Sequence, residues 1–220
     1  MRKVDILIDS VRELWDSFDE HPFVKGIADG TLDKEKFKYY MVQDYLYLID
    51  YARVFALGVV KASDSETMRL CAGYVKQILD GEMDIHKGYM QRLGISLEEA
   101  EHANVALDNL SYTSYMLRVA YDGSAADVMA AILSCAVSYE YIGKHMVEQN
   151  PDCVKHEFYG EWIRGYSDPE YAKANRVLED LTERLIADVS DEQFARLKEI
   201  FTNCSRYEGA FWDMAWEMRR

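Results

Sequence analysis

Residues 33–62 read DKEKFKYYMVQDYLYLIDYARVFALGVVKA. The run contains no proline and one glycine, Gly58. Phe37, Tyr40, Asp44, Tyr47, Leu48, Tyr51 and Phe55 recur at spacings of three and four, which stacks them on one face of a long α-helix. The spacing predicts a helix from about Asp33 to Ala62, far longer than a typical strand. The same grammar extends outward. Roughly residues 4–19 form an amphipathic helix, broken by His21-Pro22-Phe23 and by the turn Asp29-Gly30-Thr31. Ser63-Asp64-Ser65 ends the long helix and caps the next, which runs to Leu93 with Gly94 in the C′ position. Ser96 and Glu99 form a capping box, and Asn104 to Leu110 reads as irregular. Ser111 starts a helix that stops at Asp122-Gly123, and Ser124 starts another that ends at Asn150-Pro151. A shorter helix carries Trp162, Pro169 sits at a helix entry, and Ser190 with Gln193 caps a last helix to about Met218. No repeat, low-complexity tract or linker interrupts the chain. The expectation is one all-α domain, a single-domain helical bundle over residues 1–220.

Composition agrees. The 220 residues are 49% apolar and 29% charged, an ordinary globular balance. Three prolines and twelve glycines are too few for a turn-rich β-sandwich. Twenty-five basic against 39 acidic side chains leave a net charge of −14, which disfavours nucleic acid or an anionic membrane as the partner. Apolar stretches read as shorter than the ~20 residues a membrane span requires. No leader-like apolar run opens the sequence, and Cys71, Cys135, Cys153 and Cys204 form neither a C-x-x-C pair nor a zinc spacing. The expectation is a reduced, soluble, cytoplasmic protein without a metal.

Chemistry is sought among polar groups on apolar faces, because a buried carboxylate needs a partner or a task. Asp44 is the only charge in its aromatic row. Either a Tyr or backbone donor from a neighbouring helix satisfies it, or a ligand amino group on a flat ring held by Tyr47 and Tyr51. Glu208 is the lone acid among Phe201, Cys204, Ser205, Phe211, Trp212 and Ala215; it is either a structural acid bonded to tyrosines or a general acid near neutral pH. Glu82 and His86, four apart beside Ile78, Leu79 and Tyr89, read as a structural acid–imidazole pair. No Glu-x-x-His occurs, which argues against a ferritin-like di-metal site. Cys135 lies in the row Val128, Ala131, Ile132, Cys135, Ser138, Tyr139 and Ile142. A buried cysteine is ordinarily a small hydrophobe, but small neighbours here leave room for something flat. Tyr112, Tyr139 and Tyr166 are buried phenols of the kind that line small-molecule pockets.

Taken in order, His21-Pro22-Phe23-Val24, Gly26-Ile27, Asp29-Gly30-Thr31-Leu32, Phe37-Lys38-Tyr39-Tyr40 and Gln43-Asp44-Tyr45-Leu46-Tyr47-Leu48 resemble the thiaminase II (TenA) family. So do Ser111-Tyr112-Thr113-Ser114-Tyr115-Met116, the stretch Cys135 to Tyr139, Trp162-Ile163 with Tyr166, and Tyr207-Glu208 with Phe211-Trp212. The resemblance covers nearly the whole chain and, through Cys135, is to the family's cysteine-containing branch. It implies a haem oxygenase-like fold, a homotetramer, no cofactor, and an aminopyrimidine or thiamin substrate. It also implies roles: Cys135 as nucleophile, Glu208 as acid/base, Asp44 holding the aminopyrimidine, Tyr112, Tyr139 and Tyr166 around ring and thiol, and Tyr47 and Phe211 as aromatic walls. The stretch Ala136-Val137-Ser138 is smaller than the aromatics some members carry there. The implied chemistry is thiolate addition at ring C6, loss of the group on the C5 methylene, and hydration. No Lys, Arg or His stands one turn from Cys135 to stabilise the thiolate, so phenols and a proton shared with Glu208 or water are expected to serve. Two competing readings are a haem- or quinone-precursor oxygenase relative, for which His86 is the one inward-facing axial candidate, and a non-catalytic binding or regulatory protein.

Overall fold

The computed structural model describes residues 1–220, all helix and connection, without a strand. The helices are α1 (Lys3–Asp9), α2 (Arg12–Asp19), α3 (Pro22–Ala28), α4 (Lys34–Lys61), α5 (Ser65–Gln77), α6 (Met83–Arg92), α7 (Leu97–Glu101), α8 (Leu107–Asp122), α9 (Ala125–Gln149), α10 (Gly160–Ser167), α11 (Pro169–Ile186) and α12 (Asp191–Glu217). A π turn, Ile78–Glu82, joins α5 to α6, and a 3-10 turn covers Cys153–Lys155. The chain forms two compact units: Met1–Asp33 with Met129–Asp213, and Lys34–Val128 with Met214–Arg220.

Local side chains set most helix ends. Asp64 Oδ1 accepts the amides of Glu66 and Thr67 at 3.0 and 2.9 Å, and Asp168 Oδ1 accepts that of Glu170 at 2.7 Å ahead of Pro169. Ser96 and Glu99 exchange both bonds of a capping box. Ser190 and Gln193 do likewise before α12. Gly94 takes φ +71° after α6, a left-handed turn open to glycine.

The first expected helix, residues 4–19, is two. Ser10 Oγ donates to the Leu7 carbonyl at 2.7 Å, an alternative to the helix ladder, and α1 ends there. His21-Pro22 is a break that also begins α3, with His21 Nδ1 accepting the Phe23 amide. Helix α8 starts earlier than its sequence suggests. Its N-cap residue, Ala106, has no capping side chain. The α4 residue Gln43 supplies the bond instead: its Oε1 accepts the Ala106 amide at 3.0 Å, and its Nε2 donates to the Asn104 carbonyl at 2.9 Å. Helix α9 overturns the expectation that no stretch is long and apolar enough to span a membrane. By length and composition it passes, but 78% of its most apolar window is buried in the protein, as in a core helix.

In the first unit, α1 and α11 cap one another. Lys3 Nζ donates to the carbonyls of Ile186, Ala187 and Val189 at 3.2, 2.9 and 3.0 Å, and Glu183 accepts the Val4 amide at 2.8 Å. Trp15 Nε1 donates to Ser205 Oγ, which shares a hydrogen bond with Ser134 Oγ, so α2, α12 and α9 are tied by one polar chain in an apolar core. In the second unit α4 packs on α5, α6 and α8. Its Phe37 meets Tyr89 edge-on at 5.3 Å, and its Phe55 stacks on Tyr74 at 5.2 Å.

Candidate active site

In the first unit, α9 and α12 carry Cys135 and Glu208. Ser134 and Ser205 hydroxyls meet at 2.8 Å, and the Tyr139 and Trp212 rings meet at 5.3 Å. These two clamps fix the register: the helices run side by side in the same direction, and both Cys135 and Glu208 fall in the stretch between the clamps. Both are buried, at 9% and 2% exposure. Tyr171 Oη and Asn175 Nδ2 of α11 both donate to the Ala136 carbonyl, at 3.1 and 2.8 Å, and pin α9 beside the thiol-bearing residue. Glu208 also acts on Cys204: burial first and then the charge of this carboxyl push the Cys204 thiol well above its ordinary pKa, so Cys204 stays protonated.

Beside them the rings form a box. Tyr139 lies 4.7 Å from Tyr166 and 6.0 Å from Trp162. Trp162 lies 4.7 Å from Tyr166 and 6.5 Å from Trp212, and Phe23 stacks on Trp212 at 5.7 Å. Phe211, expected as an aromatic wall, is buried on α12, and its neighbour Trp212 also meets Tyr139, at 5.3 Å.

The box depends on Gly143, one turn beyond Tyr139. A Cβ there would come within 2.9 Å of the Tyr166 carbonyl carbon and 3.0 Å of the Ser167 nitrogen. Backbone atoms cannot swing aside as a side-chain tip can. Overpacking costs about 1–3 kcal/mol, and alanine recovers up to about 1 kcal/mol of helix propensity. Gly143→Ala is therefore expected to lower stability by about 1–2 kcal/mol in urea titration, with a changed tryptophan emission as Tyr166 leaves Trp162.

The second unit carries Asp44, Tyr47 and Tyr112. Tyr47 stacks on Tyr51 at 5.4 Å and lies 5.2 Å from Tyr112. Its hydroxyl donates to the Met116 sulfur at 3.8 Å. Asp44 is 4% exposed. Its donor is neither a tyrosine nor backbone: His86 Nε2 lies 2.6 Å from Asp44 Oδ2. This corrects the expected Glu82–His86 pair. The π turn shifts the register there, Leu79 is exposed at 43%, and the hydrogen bond between His86 and Glu82 runs from Nδ1 to the backbone carbonyl, at 2.9 Å. Burial pulls the His86 pKa down, but the hydrogen bond and charge of Asp44, joined by the charge and carbonyl of Glu82, outweigh it and raise the pKa above the ordinary value. With both ring nitrogens engaged, His86 offers no lone pair to a haem iron. No group of three or more His, Cys, Asp or Glu side chains is placed to hold a metal ion.

The profile of the TENA/THI-4/PQQC family matches residues 8–218. A Helicobacter pylori protein named aminopyrimidine aminohydrolase is 43% identical over 217 residues, covering 99% of this chain and 100% of that protein. A protein of the same name from Halalkalibacterium halodurans is 44% identical over 213 residues, 97% of this chain and 95% of its own length. Among solved structures, a TenA homologue from P. horikoshii OT3 superposes with a TM-score of 0.90 at 29% identity, covering 99% of both chains. A Shewanella denitrificans domain described as having a heme oxygenase-like fold gives 0.77 at 15% identity over 97% of this chain and 92% of that one, a likeness of fold. The expected haem oxygenase-like helical fold is thus the one found, and the chain belongs to the TENA/THI-4/PQQC family.

Proposed function

We propose that this chain is an aminopyrimidine aminohydrolase, a hydrolase of carbon–nitrogen bonds that converts 4-amino-5-aminomethyl-2-methylpyrimidine and water into the 5-hydroxymethylpyrimidine and ammonia. Thiamin, whose thiazolium occupies the same C5 arm, is the second substrate. The observation that carries the reading is that a buried thiol, Cys135, and a buried carboxyl, Glu208, both fall between the two clamps that join α9 and α12. The full-length relatives of that name support it.

In this reading the Cys135 thiolate adds to ring C6. Glu208 hydrogen-bonds or protonates a ring nitrogen, which makes C6 electrophilic. The added electron pair passes through C5 and expels the amine, which takes a proton and leaves as ammonia. Water adds to the exocyclic methylene, the thiolate departs from C6, and the ring is restored. Tyr139, Tyr166 and Phe211 enclose the ring and thiol. Asp44 accepts from the exocyclic 4-amine and fixes orientation, with Tyr47 and Tyr112 against the ring face. The whole chain acts as one domain, as the unbroken match over residues 8–218 supports.

Self-association as a homotetramer is supported by an exposed apolar stripe. Leu107, Leu110 and Tyr121 share a face of α8 at 67%, 48% and 73% exposure. Lys61 Nζ bonds the Tyr121 carbonyl at 2.6 Å and brings the end of α4 alongside, with Val60 75% exposed. Four free, buried thiols suit a cytoplasmic setting.

The direct test is incubation with the aminomethylpyrimidine while ammonia is measured. Binding without ammonia would replace the enzyme by a binding protein. Within this reading, Asp44→Ala is expected to weaken pyrimidine binding about 10- to 100-fold, the worth of one hydrogen bond to a charged group, with a smaller effect on kcat. Calorimetric titration and the split of KM from kcat check it.

A further inference from the structure

We propose that His86 is the positioning residue of Asp44: an imidazole, set in place by the π turn, that grips one carboxylate oxygen and leaves the other for the substrate's amine. The inference rests on the reading above, in which Asp44 accepts from the 4-amino group.

The placement begins with the backbone. Thr67, Cys71 and Ile78 lie on the buried side of α5 and its continuation. An unbroken α-helix would put Glu82 next on that side, one turn after Ile78. The π turn spends an extra residue, so Met83 takes the buried place and Glu82 is only half-buried. His86 follows Met83 by one turn, 2% exposed, against α4. π turns inside helices recur at functional sites, because they re-aim the side chains that follow.

Proton counting then fixes the chemistry. The backbone carbonyl of Glu82 can only accept, so His86 Nδ1, 2.9 Å away, carries a hydrogen. One proton remains between Nε2 and Asp44 Oδ2, which are 2.6 Å apart. The charged groups acting on this imidazole are Asp44 from α4 and Glu82 from the π turn, both negative, and they hold that proton on nitrogen. Oδ2 is thereby the acceptor of the imidazole's hydrogen bond. The imidazole is the hydrogen-bond partner of Oδ2; Oδ1 makes no hydrogen bond within the protein, and it is the atom to receive an amine. Carboxylate–histidine pairs of this kind orient a ring, and here the same geometry orients the carboxylate.

Two measurements test this. The first is steady-state kinetics with the aminomethylpyrimidine for wild type, His86→Ala, His86→Gln, Asp44→Ala and the double variant. His86→Ala is expected to raise KM about 10- to 100-fold, as misplacement of an orienting group does, and to lower kcat less. His86→Gln, whose amide can still donate to Asp44, restores most of the loss. The double variant is no worse than Asp44→Ala, because the two residues act as one unit. The second is nitrogen-15 NMR of the wild-type histidines at about pH 8, above the ordinary histidine pKa of about 6.5. One ring is expected to keep both nitrogens protonated there and to lose that state in Asp44→Ala. A His86→Ala enzyme with wild-type KM, beside an impaired Asp44→Ala enzyme, overturns the proposal. So does a spectrum in which every ring is neutral at that pH, which decides the matter even if His86→Ala fails to fold. If Asp44→Ala itself keeps wild-type KM, the parent reading of Asp44 fails, and the role of His86 falls with it.

Discussion

Cys135→Ser is expected to lower turnover of the aminomethylpyrimidine by at least about a thousandfold, the scale on which an enzyme loses its nucleophile. The substitution is nearly isosteric. Cys135 sits among Ala131, Ala136 and Ser138 on a helix held by the Ser134–Ser205 bond and by two donors on the Ala136 carbonyl. None of those contacts uses the sulfur, so the variant should fold and bind the pyrimidine as wild type does. What it loses is ionisation: an alcohol is not deprotonated by phenols or by a carboxyl group, whereas a thiol can be. Ammonia release and calorimetric binding, measured together, decide the point. Substantial turnover by the serine variant would remove covalent catalysis from the mechanism.

Glu208→Gln is expected to lower kcat by about 10²- to 10⁴-fold, the usual contribution of a general acid or base, while KM changes little. Glutamine keeps the shape and the hydrogen-bonding reach on α12 but cannot move a proton. The limb of the pH–rate profile that Glu208 controls should vanish. A variant with unchanged kcat and an intact pH limb would assign the proton transfer to another group.

What the sequence made legible was whatever a residue does to its own neighbourhood. Asp64, Gly94, Ser96, Asp168 and Ser190 act within a few residues, and the helix ends they mark are where they were expected. The start of α8 was not legible, because its bond comes from Gln43 on another helix. The break between α1 and α2 turned on one hydroxyl choosing a carbonyl. Buried acids followed the same division. Asp44 and Glu208 stood out because each was the lone charge in an aromatic row, and both are buried. The partner of Asp44 did not stand out. Identifying His86 required knowing that five residues, not four, separate two consecutive buried places, and apolar spacing alone does not register a π turn.

That extra residue bears on how the segment tolerates changes in length. The helical stretch from Ser65 to Arg92 already holds one residue more than regular winding needs. Dropping a residue between Ile78 and Glu82 would let the ladder close as ordinary α-helix, with both flanks keeping their orientation. Gly81, with open space where a Cβ would stand, is the natural one to go. Dropping a residue just after Met83 would instead turn everything beyond it by about 100° and bring Lys87 to the place opposite the carboxylate. In aligned relatives, a single gap in the first stretch is therefore neutral bookkeeping, whereas the same gap a few positions on exchanges an imidazole for an ammonium.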